Sequence, residues 1–149
     1  RGAGVITGCR RCQDVCPVNR KAGESREPAF QQRHDFGAPA LLPLLDLDDE
    51  AFAERFRGSP IRRAKRAGLQ RIVCVALGNI GDPSSVPALV RALGGADAVV
   101  REHAAWALGR LGGDRAESAL AAASTGETDP SVREEIELSL AEIGVAAGS

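Results

Sequence analysis

Ala76-Leu77-Gly78-Asn79-Ile80-Gly81 returns 31 residues later as Ala107-Leu108-Gly109-Arg110-Leu111-Gly112, and 32 residues after that, more weakly, as Ser139-Leu140-Ala141-Glu142-Ile143-Gly144. Arg101 and Arg133 each stand six residues ahead of their copies. A period near 30 leaves room for two short helices per unit and is the mark of an α-solenoid. The punctuation agrees. Asp82-Pro83 and Asp129-Pro130 set an N-cap before a proline at the first helical position. Gly81, Gly112 and Gly144 fall where a left-handed residue ends a helix. The predicted fold is all-α, with antiparallel helix pairs from about residue 60 onward. Small Ala and Gly at the centre of the first two copies let paired helices approach closely.

Composition points the same way. Of 149 residues, 44% are hydrophobic but only 3% aromatic (four Phe, one Trp, no Tyr), so the core is built from Ala, Leu, Val and Ile, which suits close-packed helices. A charged fraction of 26% fits a globular chain and not a disordered one. No apolar run approaches the ~20 residues that span a bilayer, and the first residues do not read as a signal peptide. There is no Met, and the chain is expected to be a piece of a longer protein. The formal charge of −1 hides a split. Residues 1–71 hold 14 Lys/Arg against 9 Asp/Glu, and residues 72–149 hold 5 against 11, which points to a polyanionic partner for the first part only.

The chain divides into three parts: a Cys-bearing, irregular segment over 1–36, a connector and one helix over 37–58, and the repeats over 59–149. In the connector, Asp46 or Asp48 is the candidate cap, and Phe52 and Phe56 fall on one face. Within the repeats, Trp106 is read as a packing residue, Cys74 as a small buried hydrophobe and His103 as an ordinary helix residue.

Cys9-Arg-Arg-Cys12-Gln-Asp-Val-Cys16-Pro17 is C-x2-C-x3-C-P. Two thiolates at x2 spacing can hold one metal centre from a short turn. The x3-Cys-Pro tail matches the end of the bacterial ferredoxin run, in which the last Cys serves the other of two clusters. On that logic Cys9 and Cys12 ligate one [4Fe–4S] cluster and Cys16 a second, with the remaining ligands upstream. Zinc stays open, although it would want a fourth ligand closer than His34. A structural disulfide is disfavoured without a secretory signal.

Between Arg55 and Arg71 stand seven basic residues and no acid. Ser59-Pro60 opens a helix there. Arg62, Arg63, Lys65, Arg66 and Arg71 are the candidate phosphate contacts, with Arg62 and Arg66 as i,i+4 neighbours on one stripe. The alternative is a solvated face balanced by Asp46, Asp48, Asp49, Glu50 and Glu54.

Over about 69–144 the pattern resembles the short HEAT-like repeats, which implies stacked helix pairs and a recognition surface. The whole order resembles the C-terminal part of epoxyqueuosine reductase. The residues carrying it are Gly8-Cys9-Arg10-Arg11-Cys12-Gln13-Asp14-Val15-Cys16-Pro17-Val18-Asn19, Phe52 with Phe56-Arg57-Gly58-Ser59-Pro60-Ile61-Arg62-Arg63-Ala64-Lys65-Arg66-Ala67-Gly68, Ala76-Leu77-Gly78-Asn79, and His103-Ala104-Ala105-Trp106-Ala107-Leu108-Gly109. The resemblance implies a bacterial cytoplasmic oxidoreductase, monomeric and not membrane-bound. It would carry two [4Fe–4S] clusters and a cobalamin, and reduce an epoxide on a modified guanine of the tRNA anticodon stem-loop with electrons from a separate donor. It places the cobalamin domain and the catalytic acid upstream, so no catalytic residue is assigned here. This chain departs from the family at Val18, where Trp often follows Cys-Pro, and at Arg71-Ile72, where Arg-Asn is common. Two competing readings are a non-enzymatic HEAT-like module with an electron-transfer cluster, and a corrinoid–iron–sulfur reductase for a small molecule.

Overall fold

The computed structural model describes residues 38–147 together with Val15 and Pro17. Among the described residues there is no strand. The elements are α1 (Ala38–Leu45), α2 (Asp49–Arg55), a 3-10 helix (Pro60–Ala64), α3 (Lys65–Ile80), a 3-10 turn (Pro83–Ser85), α4 (Val86–Leu93), α5 (Ala98–Leu111), α6 (Asp114–Gly126) and α7 (Pro130–Ala147). None of these helices is long and apolar enough to cross a membrane.

Helices α3, α5 and α7 lie side by side and form one layer; α4 packs on α5 and α6 on α7. Helix α1 packs on α3 and also touches α4, so it extends the second layer by one helix. The connector thus holds two helices where the sequence predicts one. Its Ala38–Leu45 stretch, APALLPLL, has no polar face and two prolines, so no helical periodicity marks it. Leu41, Leu44 and Leu45 are nonetheless buried in the common core. That core runs between the layers through Leu69, Val73, Leu77, Leu89, Leu108, Leu120, Val132 and Ile136, each such side chain contributing about 1.5–3 kcal/mol by leaving water.

The small residues at the repeat centres do what the spacing predicts. A Cβ on Gly78 would stand 2.8 Å from Trp106 Cζ3 and 3.1 Å from Ala107 Cα; one on Gly109 would stand 2.6 Å from Ser139 Oγ and 3.1 Å from Ser139 Cα. Consecutive first-layer helices therefore meet backbone to backbone at equivalent positions one repeat apart.

The helix ends follow the caps in all but one case. Asp48 Oδ1 accepts from Ala51 N at 2.7 Å, and Asp82 Oδ1 accepts from Ser84 N at 2.9 Å. Asp129 Oδ1 accepts from Ser131 N at 3.0 Å and Val132 N at 3.3 Å. Gly81 ends α3 in the left-handed helical conformation expected, at φ +74° and ψ 19°, whereas Gly112 ends α5 at φ +65° with an extended ψ of −164°, a conformation that also favours glycine. Gly144 is the exception: it lies inside α7, which continues to Ala147.

The arginine six residues ahead of each repeat centre fastens the preceding loop. Arg101 forms a bidentate pair with Glu127 at 2.8 and 2.9 Å and donates Nη1 to the Gly95 and Ala96 carbonyls at 3.1 and 2.9 Å. Arg133 donates to the Glu127 carbonyl at 2.7 Å. In the first repeat Gln70 holds this place, and its Nε2 donates to the Leu45 and Leu47 carbonyls at 2.7 and 3.1 Å.

Candidate nucleic-acid interface

The basic segment sits where the connector meets the first repeat. Ser59 caps the turn that opens it, Oγ accepting from Ile61 N at 3.3 Å, but the turn is a 3-10 helix and not the start of α3. Lys65 divides the two elements with φ +58° and ψ 171°, a region that non-glycine residues rarely occupy. The single helical stripe expected from the sequence is therefore broken. Arg62 and Arg63 belong to the 3-10 helix, whereas Arg66 and Arg71 belong to α3.

Arg62, Arg63, Lys65 and Arg71 are exposed, and none of them forms an ion pair among the described residues. Their charges are available to a polyanion. Arg57 is also exposed but is paired with Glu54 in its own helical turn. Arg66 differs from its neighbours. Its side chain is 24% exposed, and its guanidinium is paired with Asp49 at 2.8 Å and Asp97 at 2.7 Å. The expectation of a segment without compensating carboxylates thus fails at Arg57 and Arg66. The first residue of α2, Asp49, and the residue before α5, Asp97, supply the carboxylates for Arg66. Asp97 lies 31 residues after Arg66, one repeat length, and opposite charges at that interval are the sequence signal that could have revealed the pair.

The opposite end of the solenoid is acidic. Asp114, Glu117, Glu134, Glu137 and Glu142 are exposed on α6 and α7. Between the two ends, Val75, Glu102, His103, Trp106 and Glu135 line a groove of about 230 Å³ on the first layer. Burial, with Glu102 and Glu142 nearby, pushes the Glu135 carboxyl up from its ordinary value. His103 Nδ1 lies 2.9 Å from the Val99 carbonyl, and Trp106 packs against the core, as read from the sequence. Cys74 is fully buried, and burial pushes its thiol up to about 12, which makes it inert as a nucleophile.

Cys9, Cys12 and Cys16, and His34 of the zinc alternative, lie outside the described residues; of the motif only Val15 and Pro17 are described, both exposed. Among the described residues no three His, Cys, Asp or Glu side chains gather as a metal site.

The family of HEAT repeats matches residues 61–141, more than half of the chain. An epoxyqueuosine reductase of Xanthomonas campestris pv. campestris is 39% identical over 108 residues, covering 72% of this chain and 30% of that protein. One from Pseudomonas aeruginosa is 41% identical over 110 residues, again 72% of this chain and 30% of the relative. The crystal structure of an epoxyqueuosine reductase with an epoxyqueuosine-modified tRNA-Tyr stem loop superposes with a TM-score of 0.78 at 28% identity, covering 93% of this chain and 37% of that one. The chain thus spans about a third of the length of the reductases it matches.

Proposed function

The chain belongs to the HEAT-repeat family and is a relative of epoxyqueuosine reductases, and from that premise we propose that it is the C-terminal part of such an oxidoreductase, the part that holds tRNA beside an iron–sulfur segment. The observation that carries this reading is the group of exposed cations Arg62, Arg63, Lys65 and Arg71, free of carboxylate partners among the described residues and set at the end of the solenoid that leads back to the Cys motif.

In this reading Cys9, Cys12 and Cys16 ligate two [4Fe–4S] clusters, completed by thiolates that this chain does not contain; the support is the C-x2-C-x3-C-P spacing. Cobalamin and the catalytic acid belong to the part of the reductase that this chain does not span. The clusters, when bound, supply single electrons for the reduction. The basic residues neutralise phosphates of the anticodon stem and set its register, while the acidic α6 and α7 repel the polyanion and confine it to the basic end. Base stacking is not this segment's task, because its one aromatic, Phe56, packs against the core and the Phe52 ring. The protein works in the cytoplasm as a monomer, receiving electrons from a separate donor.

The test is a titration of the complete reductase with the anticodon stem-loop at several salt concentrations, comparing wild type with Arg62→Gln, Arg63→Gln and Arg71→Gln. Each lost phosphate contact lowers the slope of log affinity against log salt by roughly 0.7–0.9 and weakens different tRNAs about equally. Unchanged affinity and slope in all three variants would return the segment to a solvated face and favour a HEAT module built for electron transfer alone.

A further inference from the structure

We propose that Arg66 is a positioning residue for the tRNA surface and not one of its phosphate ligands, an inference that rests on the basic segment being that surface. Arg66 stands in the most basic stretch of the chain, but its guanidinium turns into the fold. Nε donates to Asp49 Oδ1 at 2.8 Å, Nη1 to Gln70 Oε1 at 2.8 Å and Nη2 to Asp97 Oδ2 at 2.7 Å. These acceptors belong to α2, to α3 and to the residue that precedes α5. Gln70 extends the network to the end of α1 through the Leu45 and Leu47 carbonyls. One side chain therefore ties the connector to the first two repeats, with three of its five N–H donors engaged within the fold, two of them on carboxylates.

The backbone beside it explains what this tie accomplishes. Lys65, at φ +58° and ψ 171°, holds a conformation that is costly for any residue with a Cβ. It is the hinge between the 3-10 helix that carries Arg62 and Arg63 and the helix that carries Arg71. A relaxed chain would run α3 back through Ala64 and swing Arg62 and Arg63 around the helix axis by about 100° per residue. A strained residue persists where its surroundings over-determine it. Arg66, the next residue, supplies that constraint from both sides of the hinge, and so fixes the direction in which Arg62 and Arg63 leave α3. Arginine suits this task because its planar fork spreads donors over three nitrogens aimed at three acceptors, whereas the three donors of lysine radiate from one.

The test is the stem-loop titration of the complete reductase across salt concentrations, with Arg66→Lys, Arg66→Gln and, as the phosphate-contact reference, Arg62→Gln. Circular dichroism and thermal melting establish that each variant is folded. A positioning residue predicts that Arg66→Lys and Arg66→Gln weaken binding alike, by roughly tenfold, with the wild-type salt slope, while Arg62→Gln lowers the slope. It also predicts faster exchange of the Lys65 amide, which donates to the Arg62 carbonyl, in both Arg66 variants without tRNA. In a Lys65→Gly background, where the positive φ costs nothing, Arg66→Gln should lose much less affinity than in the native background. Retention of wild-type affinity by Arg66→Lys, a lowered slope in Arg66→Gln, or additive losses with Lys65→Gly would each overturn the proposal, and the lowered slope would make Arg66 a phosphate ligand. If Arg62→Gln, Arg63→Gln and Arg71→Gln all changed neither affinity nor slope, the basic segment would not be the tRNA surface, and that reading would fail first, taking this one with it.

Discussion

Glu127 shows how much a single residue between repeats can carry. Its carboxylate receives both arms of Arg101 and the Thr128 and Asp129 amides at 2.9 Å, and the two side chains are 8% and 17% exposed. The Arg101 guanidinium, followed by the Asp129 amide, holds the acid down to about 2 against an ordinary 4.5. A carboxyl lowered on folding contributes stability that is fully present above its unfolded value and is lost as pH falls through the folded one. Stability should therefore decline between pH 4.5 and 2 through this group, and Glu127→Gln should flatten that decline and cost about 2–3 kcal/mol at neutral pH, leaving Arg101 half-buried without its charge partner. Denaturant melts of both proteins across that range check it; an equal acid slope in the two would contradict it. Residue-level chemistry of this kind is only partly legible in the sequence. The recurrence of Arg101 and Arg133 is plain in the sequence, but Glu127 lies 26 residues from Arg101 and outside the repeated hexapeptide, so no local pattern joins them.

At the scale of elements, the glycines divide by what their Cα faces. Gly78 and Gly109 each face the next first-layer helix, and a methyl on Gly109 would press on the Ser139 backbone, which cannot give way. Gly109→Ala should cost about 2 kcal/mol, overpacking outweighing a helix-propensity gain of about 1 kcal/mol. Gly144 sits inside α7 with nothing within 4 Å of its added Cβ, and Gly144→Ala should instead raise stability by about 0.5–1 kcal/mol. Thermal melts decide; a stabilised Gly109→Ala would mean that the helices are not in backbone contact. The helix ends were readable because Asp-Pro and Gly act within a turn of the chain. Gly144 misled for a physical reason: a repeat-end glycine turns the chain only where a second helix folds back, and α7 runs straight on. Helix α1 was missed because its burial comes from tertiary packing on α3 and leaves no periodic mark in so apolar a stretch.

Across the whole molecule, charge polarity is the feature that sequence and structure share. Among the described residues the basic stretch 55–71 and the acidic α6 and α7 lie at the two ends of the solenoid, because a repeat array keeps sequence order as spatial order. What the sequence could not show is which cations the fold consumes. Arg66 and Arg57 are spent on carboxylates, whereas Arg62, Arg63, Lys65 and Arg71 are left exposed. The proposed iron–sulfur assignment belongs to this scale too, because on that reading Cys9, Cys12 and Cys16 complete their clusters with residues from the rest of the reductase. In the complete reductase, purified without oxygen, Cys9→Ala or Cys12→Ala should remove the iron of one cluster and Cys16→Ala should damage the other. Full iron content in all three variants, or stoichiometric zinc, would contradict the assignment.

Whether tRNA lies on the basic end of the repeats is decided by hydrogen exchange of the complete reductase with and without the stem-loop. Exchange should slow over residues 55–71 when the stem-loop is added and stay unchanged in α6 and α7, at Asp114–Gly126 and Pro130–Ala147. Protection confined to α6 or α7, with 55–71 unaffected, would contradict it.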